Sequence, residues 1–193
     1  MSLKKSKIVS NTKKYVETAK EYGFLTPELE DFLGSDFIEA PASTLVKLHN
    51  AFEGGLIDHT LRVMKHGYLI NENNLIDELK IDEVSLFKII LLHSIGKAKL
   101  YIPETSDWHR ENQGKMYKFN EDLISMRVGE RSGYYALSNG VELTEEEYAS
   151  IINFDKSGDT QSEWYNTTAG DVLKMAVKLA IMEEKKIAER NQD

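Results

Sequence analysis

The sequence predicts an all-α protein, and three observations carry that prediction. Only 3 prolines interrupt the 193 residues. Helix-start signals recur along the chain, and no alternation of apolar and polar residues is sustained over several segments. The length suits a single compact bundle with its own core. Residues 1–24 read as an N-terminal helix or arm, and 25–193 as the helical domain.

Each element follows from local chemistry. Lys4, Lys5, Lys7, Lys13, Lys14 and Lys20 concentrate basic charge at the start. With few interleaved aromatics, they read as a solvated helix face or a frayed terminus rather than a phosphate-contacting arm. Thr26 is placed to cap a helix with Pro27 in its first position and Glu28 near its positive end, and Gly34 supplies a stop. Residues 35–44, "SDFIEAPAST", read as a loop. From Leu56 to about Tyr68, Leu61, Met64 and Tyr68 share a helical face. Residues 71–82 form a polar connection or short helix. Asp82 can cap the next helix, whose residues from Val84 to Leu92 are apolar nearly all round; such a helix belongs in the core centre, and Gly96 ends it. Residues 103–119 read as an irregular excursion with a short hairpin. Thr144 and Glu147 have capping-box spacing. A final helix spans about 169–188. There is no internal repeat or low-complexity tract.

Composition excludes several functions. With 0 cysteines there is no disulfide and no thiolate metal site, which fits a cytoplasmic protein. No apolar run approaches the ~20 residues that cross a bilayer, and no signal-peptide pattern opens the chain. A net charge of -8 argues against broad binding to nucleic acid or anionic membranes.

Two histidines stand out. His59 lies in mid-helix beside an apolar face, and His93 lies at the end of the buried helix. An unpaired polar side chain is not left in either place without a reason. A lone histidine there is more often a hydrogen-bonded core residue than a ligand; two raise the odds of a site. His66 shares a face with His59, but seven residues of helix advance ~10.5 Å, too far for one ion. His66 and His109 therefore read as surface residues. Gly54 and Gly55 permit close backbone approach at a helix start, and no phosphate-cradling glycine loop with a following Lys-Ser/Thr is present. Ser94 beside a histidine lacks the surroundings of a nucleophile elbow.

Taken together, "DFIEAPAST", "HNAFEGGLIDHTLRV" and "LLHSIGK" resemble the HD-domain phosphohydrolases, especially the small hydrolase-like members of phages and prophages. The likeness extends more weakly through residues 127–154 and into the last helix. It covers most of the chain after about Leu25. The resemblance implies a compact helical bundle that points His and Asp ligands into a central cleft. It also implies one or two divalent ions that hydrolyse phosphate esters, often of nucleotides.

Residue by residue, the ligand set breaks down. His59 matches the family's first ligand histidine and His93 the histidine of the His-Asp pair, but the aspartate is Ser94. Val128, ahead of Gly129, Glu130, Arg131 and Ser132, stands where the family often has a histidine. Phe154 stands at another histidine position, and Ile181, after Ala180, at the closing aspartate. Asp171 and Glu183 are the nearest carboxylates. A serine hydroxyl supplies no charge at pH 7 and is a poor ligand for Zn, Mn or Fe.

The expectation is therefore a relic cleft of His59, His93, Ser94 and Asp58 without confident catalytic residues. No metal or other cofactor is expected; if there is a metal, His59 and His93 hold it. The cleft would bind a nucleotide, another phosphate-containing small molecule or a protein partner. Lys97, Arg131 and His49 are the substrate-binding candidates, with Lys47 a further phosphate clamp. Lys97 could equally neutralise the end of the core helix, and Asp58 could orient His59 or be a surface acid. The alternative is an active phosphohydrolase on a nucleotide or other phosphate ester. It would use Mn, Fe, Ni, Zn or Mg, with Asp155, Asp107, Asp171 or Glu130 as a relocated ligand. A third reading is a structural or interaction module.

Overall fold

Capping chemistry sets most of the helix starts. In the computed structural model, which describes residues 3–156 and 166–190, Thr26 Oγ1 accepts from Leu29 N and Asp82 from Ser85 N. Thr144 and Glu147 form a complete capping box. Among the described residues the helices are α1 (Lys5–Glu21), α2 (Pro27–Phe32), α3 (Ser35–Ile38), α4 (Gly55–Glu72), α5 (Glu83–Leu92), α6 (Asp107–Gln113), α7 (Val128–Ser138), α8 (Glu145–Asn153) and α9 (Thr168–Arg190). The fold class is all-α, as the sequence predicts. Strands β1 (Tyr101–Pro103) and β2 (Tyr117–Phe119) pair antiparallel, Tyr101 facing Phe119. They flank α6, so the 103–119 excursion is a small hairpin carrying a helix that Ser106 caps.

α5 occupies the centre. Leu86, Phe87, Ile89, Ile90, Leu91 and Leu92 are buried against α1, α4, α8 and α9. Each fully buried aliphatic side chain contributes about 2 kcal/mol. α4 comes close because Gly67 has no side chain: a Cβ there would sit 2.4 Å from Ile90 Cδ1. α9 lies along α4 through Ala176 and Ala180. α1 belongs to the same core. Its Ile8, Asn11, Tyr15 and Ala19 are buried, and Tyr15 Oη donates to Leu91 O at 2.7 Å. The six lysines of its region face solvent, so the basic start is a solvated helix face and not a frayed end. No described helix is long and apolar enough to cross a membrane.

Three local expectations are corrected. Residues 35–44 are not all loop, because α3 forms over Ser35–Ile38 with Phe37 packed into the core. On the Leu61–Met64–Tyr68 face of α4, Met64 is buried and Leu61 packs against the core, but Tyr68 is exposed, and Leu56, His59, Val63 and Gly67 also turn inward between α1, α5 and α9. α5 stops at Leu92 rather than Gly96, followed by a 3-10 turn over Ile95–Lys97. Contact with α7 explains that stop. Ser132 Oγ accepts from Gly96 N at 2.9 Å and donates to His93 O at 2.8 Å. A Cβ on Gly96 would lie 2.5 Å from Val128 O, so only glycine fits the approach.

Candidate functional site

The site is built where the loop before α4 folds back on that helix. Gly54 takes a left-handed φ of 74°, and a Cβ on Gly55 would lie 2.2 Å from Asn50 O. This tight return sets His49 over His59, with ring centroids 4.9 Å apart. From the opposite side, α9 presents Ala176, Ala180 and Glu184 at four-residue spacing along one buried stripe. Glu184 closes that stripe: its Oε1 lies 3.0 Å from His59 Nδ1 and Oε2 3.2 Å from it. One ligand atom from each of His49, His59 and Glu184 lies within 4.8 Å of the others.

Asn50 ties the set together. Its Nδ2 donates to Glu184 Oε1 at 3.3 Å, to Asp58 Oδ2 at 3.1 Å and to Gly55 O at 3.3 Å. Asp58 also accepts from Asn11 and from Arg62, and Arg62 reaches Glu183 at 2.9 Å. Asp58 is thus held by amides and a guanidinium, and it is Glu184 that orients the His59 ring.

The position implied by the family resemblance lies on the other side of His59. His93 is 6.2 Å away, centroid to centroid. Its Nδ1 donates to Ile90 O at 2.6 Å, and the Phe154 ring packs edge-on against it at 4.8 Å. Ser94 is buried, its Oγ 3.1 Å from Thr60 Oγ1. Val128, Phe154 and Ile181 carry no donor atoms there. Among the described residues, these do not fit a divalent ion between His59 and His93, because they offer imidazoles and spent hydroxyls and no carboxylate joins them.

Burial dominates the electrostatics. It lowers His59 and His93 to about 3 and His49 to about 2, so all three rings are neutral at pH 7. With Glu184 mostly a neutral carboxyl at pH 7, its proton donates to the Nδ1 lone pair of a His59 ring that carries its own proton on Nε2. Burial raises Glu184 to about 8, against the pull of Arg62. It lowers Lys97 to about 8, with Glu184 and Asp155 opposing.

A cavity of about 790 Å³ opens beside this group. His49, Asn50, Asp58, Arg62 and Glu184 line one side, Lys47 and Lys185 the rim, and Val46, Leu48, Phe52 and Met116 an apolar wall. His49 and Lys47 thus stand where a ligand could meet them. Lys97 and Arg131 do not line it. Lys97 is half-buried and donates to Ala42 O at 2.7 Å, pinning the 40–44 segment rather than facing a phosphate. Arg131 is buried and donates to Ile124 O, anchoring the loop before α7. His66 is no free surface residue, since its Nε2 meets Glu183 at 2.7 Å. The four acids offered as relocated ligands are elsewhere: Asp155 accepts from Gly129 N, Asp107 pairs with Arg110, and Asp171 and Glu130 stay outside the group.

Glu184 is the residue that sequence reasoning passed over in favour of Asp171 and Glu183. The signal was present in the α9 stripe of small residues, which ends on a glutamate one turn beyond Ile181. No protein-family model, curated protein or solved structure matches the chain.

Proposed function

We propose that this chain is an HD-like cleft protein that binds a phosphate-bearing small molecule, a nucleotide foremost, without hydrolysing it through an ion between His59 and His93. The observation that carries this reading is the contrast across His59. Ser94, Phe154 and the Ile90 carbonyl have closed the side the resemblance would use, while the other side faces the cavity. The volume falls within the range of small-molecule sites. The apolar wall suits a base or sugar, and Lys47, Arg62 and Lys185 suit a phosphate.

The test is equilibrium binding of a nucleotide panel in the presence of chelator. A nucleotide should bind and raise the melting temperature, and a Lys47→Ala/Lys185→Ala variant should bind it more weakly. A panel that neither binds nor shifts melting would overturn the reading in favour of an interaction module. A second reading, metal-dependent hydrolysis with a relocated acidic ligand, is favoured by one observation, the buried Glu184 against His59. Nucleotide hydrolysis that disappears in Glu184→Gln would support it.

A further inference from the structure

We infer that His49, His59 and Glu184 form a site for one first-row divalent transition ion, such as Zn2+ or Co2+, displaced from the His59–His93 pair toward the cavity. The donor set is two imidazole nitrogens and one carboxylate, the combination that borderline cations of this row accept. Spacing agrees. Ligands bound at ~2.1 Å on adjacent positions of one ion lie about 3.0 Å apart in an octahedral site and about 3.4 Å in a tetrahedral one, and His59 Nδ1 lies 3.0 and 3.2 Å from the two Glu184 oxygens. All three ligand atoms fall within 4.8 Å, so His49 needs only a small ring movement to close the set.

The support behind the ligands is built as well. His59 and Glu184 sit on facing helices, and the Gly54–Gly55 return fixes the His49 loop. Asn50 holds Glu184 from behind, and Arg62 Nε lies 3.7 Å from the same oxygen. His49 and Glu184 both line the cavity, so the ion's remaining positions open toward it, the arrangement of three protein ligands plus solvent. Binding replaces the His59–Glu184 hydrogen bond: the one proton shared by that pair leaves to solvent, and His59 coordinates through Nδ1 as a neutral ring with its N–H on Nε2. The half-buried Lys97 ammonium and Arg62 oppose the incoming charge, while Asp58, Glu183 and Glu184 favour it. Mg2+ and Ca2+ are poor fits, since they demand mostly oxygen ligands. The ion would then anchor phosphate oxygens of a ligand in the cavity. The site itself requires neither hydrolysis nor the nucleotide reading.

The experiment uses the full chain, stripped with chelator and titrated with Co2+ alone while its visible absorption is followed. One Co2+ per chain should bind, displaced by Zn2+ and not by a large excess of Mg2+. His49→Ala and Glu184→Gln should each weaken binding by about ten-fold or more, because even losing a group behind a ligand costs that much. His93→Ala should leave binding unchanged, and Ser94→Ala carries the same comparison where His93→Ala does not fold. Far-UV circular dichroism keeps loss of fold separate. No stoichiometric Co2+, or binding that survives both His49→Ala and Glu184→Gln, would overturn the site. Nucleotide binding under chelator is read independently, so either conclusion can fail alone.

Discussion

The two sides of His59 are chemically alike in their imidazoles and opposite in everything around them. Toward α8, His93 is hydrogen-bonded to a backbone carbonyl, edge-packed by Phe154 and neighboured by a serine whose hydroxyl is already engaged. Toward α9, His49 and Glu184 keep donor atoms on a cavity wall. A histidine pair alone therefore does not define a site. Among the described residues, what differs is the presence of a carboxylate and of open volume.

Acid titration should break the comparison most strongly. All three histidines are held neutral by burial, at about 2 to 3 against 6.5 when unfolded. Below pH 6.5 the unfolded chain takes up three protons that the folded one refuses, so their stabilisation is present above 6.5 and lost as pH falls. Glu184 acts in the opposite sense. Raised from 4.5 to about 8, it stabilises below 4.5 and loses that contribution as pH rises to 8. Net stability in chelator should fall by about 2 kcal/mol per pH unit from 6.5 to 4.5. It should also decline gently from 6.5 to 8. Thermal melts across this range check it, and Glu184→Gln should remove the upper decline while leaving the acid slope.

Substitutions sharpen the contrast further. His59→Ala strips the buried Glu184 of its closest partner and should cost about 3 kcal/mol in denaturant unfolding. Ser94→Asp places a carboxylate in the closed side without a compensating ion. It should cost about 2 kcal/mol and gain no hydrolytic activity, since Phe154, Val128 and Ile181 still supply no ligands. Strong metal uptake created by that single change would contradict the account. The smallest effect belongs to Lys97→Met, which removes a half-buried cation from the neighbourhood of the histidines. It should tighten Co2+ binding by about ten-fold at most. The stripped protein should remain folded throughout, because His59, Asn50 and Arg62 already satisfy Glu184.

Much of the fold was legible in local chemistry. Thr26, Asp82 and the Thr144–Glu147 box act where their spacing says they should, and the all-apolar stretch to Leu92 is the central helix. The points missed depend on tertiary contact. Gly96 does not end α5, because Ser132 of α7 claims the backbone at His93 and Gly96 first. Lys97 and Arg131 looked like phosphate ligands from their charge, but each is turned inward onto a carbonyl oxygen, of Ala42 and Ile124 respectively. For the site, His49, His59 and His93 were legible as residues, and their grouping was not. Which imidazole joins His59 is decided by the Gly54–Gly55 return, a three-dimensional constraint. Glu184 was readable from the stripe Ala176–Ala180–Glu184, had periodicity been followed past the position that a motif alignment assigns to Ile181.

The most direct measurement is anomalous diffraction at the zinc edge from crystals of the chain grown with Zn2+. The account predicts one peak within ~2.3 Å of His49, His59 and Glu184 atoms, facing the cavity. A peak between His59 and His93, bounded by Ser94, would contradict it.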